Sequence, residues 1–515
     1  MHLVDYSIVG IYLISVVALG FYFQKKASKN IEAYFLGDKN LPWWALGASG
    51  MASNVDLSGT MILTALIFAL GTKGFFIEIR GGLVLIMAFF MIFMGKWNRR
   101  SQCMTVAEWM KFRFGDNEQG KIARLISAVA NIVFAIGTIS YFAIGGGKFF
   151  SEFFGIDEQT GTIILILITT VYTMASGLYG VVWTDVFQGF LIFIGVIVVV
   201  YIALTTVNLP DVFYVSMPIA GCFQKVAVNY KEWSSILPPL NLNLTGDYSI
   251  YNLFGFTILL YLIKTMLEGF SGSGGYITQR YFAAKNDRDA GLLSLFWIVL
   301  LSLRWPLIAS FAVLGIHYGI NHNIINDPEL VVPVVIKTYL PPFFKGVMIT
   351  GFLAAAMSTF TSVINAAAAY WVKDIYLEII NKNASSKLQV IHSKVASVVI
   401  VILGVLFAST LKSINEIWGW LSLGLGAGLA LPLVLRWFWW RFNGYGFAFG
   451  TLSGMIAAIF LKMFNDNASE TVYFFIPITF SLIGCVAGTL LTRTIETSVL
   501  INFYTQTKPF GFGLR

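Results

Sequence analysis

A chain of 515 residues, 57% of them hydrophobic and 12% charged, with a mean hydropathy of +0.76, is too apolar for a water-soluble protein and reads as an all-α polytopic membrane protein. Its formal net charge of +8 then belongs to lysines and arginines on inner loops rather than to a nucleic-acid surface. Cys103, Cys222, Cys485 and the four histidines form no metal or redox spacing, and no phosphate-binding glycine loop is present, so ATP is not the expected energy source.

Apolar runs long enough to span lie at about 4–23, 43–70, 76–95, 121–150, 161–178, 183–206, 252–275, 291–318, 346–378, 391–411, 416–437, 446–463 and 471–492, which makes thirteen expected transmembrane helices. The first follows no basic segment and precedes Gln24-Lys25-Lys26, so it reads as a retained span with its N-terminus outside. The lysines and arginines of 96–124 place that loop in the cytoplasm. The long loops 207–250 and 319–345 then fall outside, and the C-terminus inside, in a plasma (inner) membrane. Residues 105–114 (TVAEWMKFRF) read as an amphipathic helix at the interface.

The run 43–70 contains ALGASGMASNVDLSGT at 45–60. Glycine and serine weaken a helix, and a carboxylate in hydrocarbon is costly. The helix is therefore expected to unwind there, offering free backbone groups to a cation or a solute. The alternative, small residues for close helix packing, gives Asp56 no reason to be present. A second glycine- and serine-rich stretch with charges, KTMLEGFSGSGGY at 264–276, opens the seventh run. Each break falls in the first of five runs, 43–206 and 252–437, and the two groups start on opposite sides. That pattern points to an inverted repeat within one transporter domain, with 4–23 leading and 446–492 trailing.

Candidate ligands lie in and near these breaks. Ser358, Thr359, Thr361 and Ser362 bring hydroxyls to one helix, unless they only bond back to carbonyls one turn earlier. Asp185 is the lone acid of the sixth run and wants a cation. For a solute, the candidates are Asp56, Ser58, Glu78, Arg80, Lys264, Glu268, Phe270 and Trp418. Arg80 offers a planar fork suited to a carboxylate or to vicinal hydroxyls, or else pairs with Glu78 or Asp56. Lys264 and Glu268 are spaced to pair with each other. Phe270 and Trp418 fit either an aromatic gate or plain packing. Arg304 is a further intramembrane cation.

Four stretches carry a family resemblance. Residues 176–188 (SGLYGVVWTDVFQ) resemble the GGLxxVVWTDxxQ stretch of the sodium:solute symporter family, with Ala175-Ser176 where that family often has Gly-Gly. Residues 279–285 (QRYFAAK) resemble its QRxLAAK loop. Residues 354–365 (AAAMSTFTSVIN), followed by Lys373-Asp374-Ile375-Tyr376, resemble its sodium-binding helix, and Trp440-Arg441-Phe442-Asn443 its late turn. The resemblance implies a LeuT-like five-plus-five fold and sodium-coupled symport of a small polar organic solute: a sugar, a sugar acid or another carboxylate. It implies a main sodium site at the carbonyls of Asn54, Leu57 and Ala355 and the hydroxyls of Ser358 and Thr359. It further implies a second sodium at Asp185, Ser358, Thr361 and Ser362, unless Asp185 only supports the first site or an inner gate. Met61 stands where galactose carriers have a glutamine, which argues against a galactose-type site. Partners are then solute, Na+ and the bilayer, with no nucleic acid and no obligate protein. The competing readings are a proton-coupled amino-acid or nucleobase permease and, from another class, a membrane-embedded enzyme or sensor.

Overall fold

The apolar runs become helices. The computed structural model describes residues 1–509 except 28–30, 220–221, 245, 273–274, 412 and 466–468, so Ser273 and Gly274 of the second glycine-rich stretch lie outside the described residues. In chain order the elements are α1 (Leu3–Ala27), α2 (Trp43–Ala52), α3 (Leu57–Leu70), α4 (Lys73–Glu78) and α5 (Leu83–Phe89), which continues through a π-helical turn, Phe90–Met94, into Gly95–Arg100. Next come α6 (Val106–Phe114), α7 (Glu118–Phe154), α8 (Glu158–Thr206) and a hairpin of β1 (Val212–Ile219) and β2 (Cys222–Asn229). The second half holds α9 (Phe254–Ser271), α10 (Gly275–Phe282), α11 (Asp287–Ser302), α12 (Arg304–Asn321), α13 (Val331–Tyr339) and α14 (Phe344–Ala369). It ends with α15 (Ser386–Ala408), α16 (Ile414–Gly419), α17 (Gly426–Phe438), α18 (Gly444–Phe464), α19 (Glu470–Leu490) and α20 (Thr497–Thr507).

Every residue of α3 is buried, as is α14 from Gly346 to Ala369. A helix apolar all round and covered all round forms the axis of a bundle. The alanines, serines and threonines of α14 allow the close approach that packing in lipid needs. By contrast α15 exposes Val395, Val399, Ile402 and Leu406, the face expected against acyl chains.

Among the described residues nine helices are long and apolar enough to cross a bilayer, and a tenth span results if α2 and α3 count together. Each expected run carries a helix, and the third run is interrupted at Gly82, whose φ is +57°.

Two expectations are corrected. Runs 161–178 and 183–206 are not parted by a loop: α8 is one helical run of 49 residues, about 74 Å if straight. Its first turns pack on the end of α7, where Thr162 Oγ1 donates to the Ala143 carbonyl at 2.9 Å. Its end leads into β1, whose Ser216 reaches the Asn326 carbonyl, next to Asp327, which pairs with Lys148 of α7. Second, α6 is no surface helix. Trp109, Met110, Arg113 and Phe114 are buried, and Arg113 donates to the carbonyls of Arg436 at 2.7 Å and Trp439 at 3.3 Å. The all-α fold carries one short hairpin. β1 and β2 pair antiparallel from Val212↔Asn229 to Ile219↔Cys222.

The segment after the hairpin is bound to the turn that ends α3. Thr72 N–H donates to the Trp233 carbonyl at 3.0 Å, and Trp233 Nε1 donates to the Phe68 carbonyl at 3.2 Å. Gly71, at φ +69°, has room for no side chain, because a Cβ there would lie 1.9 Å from the Trp233 oxygen.

Candidate functional site

The expected break after residue 52 is present: α2 and α3 meet at 56°. Asp56 is extended (φ −69°, ψ 155°) and its carboxylate accepts the Gly59 N–H at 2.8 Å, capping α3. A helix that starts inside a bilayer exposes orphan N–H groups, and a capping carboxylate satisfies one where water cannot. Asp56 therefore has a structural task as well as its place beside the cavity.

Oxygens gather where the break meets α14. Thr359 Oγ1 donates to the Ser53 carbonyl at 2.7 Å and to the Ala355 carbonyl at 3.0 Å. Ser53 Oγ lies 2.9 Å from Ser358 Oγ and 3.2 Å from Ser362 Oγ. Of the five expected main-site ligands, Ala355, Ser358 and Thr359 thus come together, and their partner across the gap is Ser53. Asn54 turns its carbonyl to Arg304 Nη1 at 3.1 Å, and Leu57 is already the first residue of α3.

The expected second cluster is assembled around a protein cation. Arg280, fully buried on α10, donates through Nη2 to Ser53 Oγ at 2.7 Å, Ser49 Oγ at 2.9 Å and Ser362 Oγ at 3.0 Å. The same nitrogen lies 3.7 Å from Asp185 Oδ2, which also accepts from Ser49 Oγ at 2.5 Å. Thr361 instead donates to the Ser358 carbonyl on its own helix at 2.9 Å.

Beside the break lies a cavity of about 360 Å³. Asp56, Glu78, Lys264, Glu268, Trp418 and Arg304 all line it, and it reaches Ser127 and Asn131 on α7 and Tyr370 just beyond α14. Lys264 pairs with Glu268 at 2.7 Å, as their spacing predicts. Arg304 has distant carboxylates and one close bond: Nη2 lies 3.6 Å from Asp56 Oδ1, Nη1 lies 4.0 Å from Glu78 Oε1 and donates to the Asn54 carbonyl at 3.1 Å, and Nε has no hydrogen-bond partner.

Three solute candidates are not part of this cavity wall. Arg80 is buried behind Trp418, 3.9 Å above its ring, ion-paired with Glu470 and donating to Asn415 Oδ1 at 2.8 Å. Its partner is neither Glu78 nor Asp56. Phe270 packs on Phe89, with ring centroids 4.7 Å apart, in a cluster with Phe93 and Phe438. Ser58 donates to the Tyr141 carbonyl at 3.1 Å. Sequence reasoning passed over Ser49, Ser53, Arg280 and Glu470. Ser49 and Ser53 are one helical turn apart in the stretch already singled out, and Arg280 stands inside a quoted motif, so both signals were local. Glu470 had none.

Comparison with known proteins settles the class. The model of the "Sodium:solute symporter family" matches residues 34–458. The chain belongs to the sodium:solute symporter family. It is 26% identical over 434 residues to a sodium/glucose cotransporter of Vibrio parahaemolyticus, covering 80% of this chain and 76% of that one. It is 26% identical over 505 residues to the high-affinity proline transporter PutP of Bacillus subtilis (strain 168), covering 94% and 97%. Among solved structures, a Na+-coupled sialic acid symporter in a substrate-bound outward-open state superposes with a TM-score of 0.74 at 20% identity, over 96% of this chain and 99% of that one. The fold is that of a LeuT-like transporter. The protein is an integral membrane carrier rather than an enzyme, it works by sodium-coupled symport, and Na+ is its coupling ion.

Proposed function

We propose that this symporter carries a small polar solute bearing a carboxylate, and that Arg304 receives that group. The observation behind the reading is the guanidinium in the cavity wall, whose carboxylates stay at 3.6 and 4.0 Å, whose one close bond is to the Asn54 carbonyl and whose Nε is unused. A guanidinium so placed can trade weak internal contacts for a two-pronged bond to a carboxylate. Proline and sialic acid, named in two of the relatives, both carry that group, whereas glucose does not. The sugar reading therefore ranks below a sugar acid or an amino acid.

One sodium binds between Ser53, Ala355, Ser358 and Thr359, with the carbonyls of Asn54 and Leu57 joining when the break reorients. Hard, mostly neutral oxygens in this number suit Na+. Asp185 serves the site through Arg280, so a second sodium at Asp185, Ser358, Thr361 and Ser362 requires that guanidinium to leave. The two groups 43–206 and 252–437 act as inverted repeats that rock about the site. The N-terminus lies outside, the C-terminus is cytoplasmic, and no obligate protein partner takes part.

Uptake into proteoliposomes tests this. Carboxylate solutes should enter only down a sodium gradient, with a Hill coefficient near one for sodium. Ser358→Ala with Thr359→Ala should abolish sodium dependence while folded protein is recovered. Uptake driven by a proton gradient alone, or wild-type sodium activation in the double variant, overturns the reading.

A further inference from the structure

Away from the transport site, the end of the third span and the start of α11 form a basic crevice. It is lined by Arg99, Arg100, Lys285 and Arg288, with Asp287 the one acid among the described lining residues. Asp287 is taken up by Arg100, at 2.8 Å from both Nε and Nη2. Arg99 fixes the wall by donating to the carbonyls of Ala284 and Lys285, and its Nη1 has no hydrogen-bond partner. Lys285 and Arg288 stand exposed at the rim. The crevice also faces the N-terminus of α11, where backbone N–H groups add partial positive charge. The carrier's ion and solute chemistry uses none of these cations.

The surface leading away from the crevice is apolar. Leu295 follows Arg288 by seven residues and Val299 by eleven, so all three share a face of α11. Leu295 and Val299 are 47% and 56% exposed, and Ile92, on the neighbouring third span, is 59% exposed. A concentrated positive charge thus sits about two helical turns from an open hydrocarbon-facing stripe. A soluble anion would use only the first feature; a phospholipid uses both.

We propose that the crevice seats the phosphate of an anionic phospholipid, with Lys285 and Arg288 contacting the headgroup and one acyl chain lying along Leu295 and Val299. Juxtamembrane cations attract anionic headgroups, and a wall braced by Arg99 makes the attraction a site rather than a diffuse field.

Native mass spectrometry of the detergent-purified full chain tests it, with phosphatidylglycerol, phosphatidylcholine and inorganic phosphate as probes. The expected result is one phosphatidylglycerol held at least tenfold more tightly than phosphatidylcholine. Lys285→Gln with Arg288→Gln should remove that preference, and so should Arg288→Gln alone in part; both changes are at exposed positions and leave the melting temperature of the lipid-free protein unchanged. Leu295→Ser with Val299→Ser should weaken phosphatidylglycerol binding with all charges intact. Equal retention of phosphatidylcholine, a preference that survives the double glutamine variant, or displacement of the lipid by millimolar inorganic phosphate would each overturn the proposal.

Discussion

Arg80, behind Trp418, and Arg304, on the cavity that Trp418 lines, differ in how closely their carboxylates hold them. Arg80 is stacked on the ring, paired with Glu470 and bonded to Asn415, while Tyr261 donates to the same glutamate. Arg304 borders the cavity with its carboxylates at 3.6 and 4.0 Å and one close bond, to the Asn54 carbonyl at 3.1 Å; Nε lacks a hydrogen-bond partner in both arginines. A buried charge held by a close ion pair, a second hydrogen bond and a ring face is part of the scaffold, and exchanging its partners for a ligand would cost more than it returns. A buried charge with slack contacts is the one a solute can engage. The presence of an arginine in a membrane span therefore marks a function only when its partners leave something over.

The largest expected effect comes from breaking the matched side. Glu470→Ala strands the Arg80 charge and should destabilise the protein by about 3–5 kcal/mol, seen as a fall in thermal unfolding in detergent, while Arg80→Met with Glu470→Met should restore most of it. On the slack side, Arg304→Gln should leave the melting temperature nearly unchanged yet cut solute uptake about a hundredfold, the ~2–3 kcal/mol of a charge-assisted bond. If Arg304→Gln unfolds the protein and Glu470→Ala does not, the contrast between the two arginines is wrong.

A third substitution sharpens the geometry. A Cβ at Gly59 would meet Asp56 Oδ1 at 2.4 Å, Arg304 Nη2 at 2.5 Å and the Tyr141 hydroxyl at 2.9 Å. Gly59→Ala should therefore push Arg304 aside at a cost of about 1–3 kcal/mol, read as a raised KM for uptake with normal expression. The smallest effect separates the two tasks of Asp56. Asp56→Ala loses the cap on α3, worth about 1 kcal/mol, whereas Asp56→Asn keeps an acceptor and should melt like the wild type. Equal melting of both variants would remove the capping role.

What the sequence disclosed was local. Glycine, serine and aspartate in one apolar run foretold the break before α3, because helix propensity and capping act over a few residues. The i, i+4 pair of Lys264 and Glu268 was legible for the same reason. Arg80 was misplaced because its partner lies 390 residues away, a distance that only packing can close. Ser53 was missed beside Asn54 because which oxygen faces α14 depends on how the break turns. The short interval between runs 161–178 and 183–206 is helical, because unbroken backbone bonding is favoured where water is absent.

The bond between Trp233 and the turn after α3 makes the hairpin a lever arm on the broken helix. Cys222 opens β2 and is exposed, while Cys103 and Cys485 are buried. The unaltered protein thus offers an accessible thiol on that arm. A fluorophore attached there should report each swing of α3 as a change in emission when sodium is added, giving a reporter of the transport cycle that leaves every ion and solute ligand untouched.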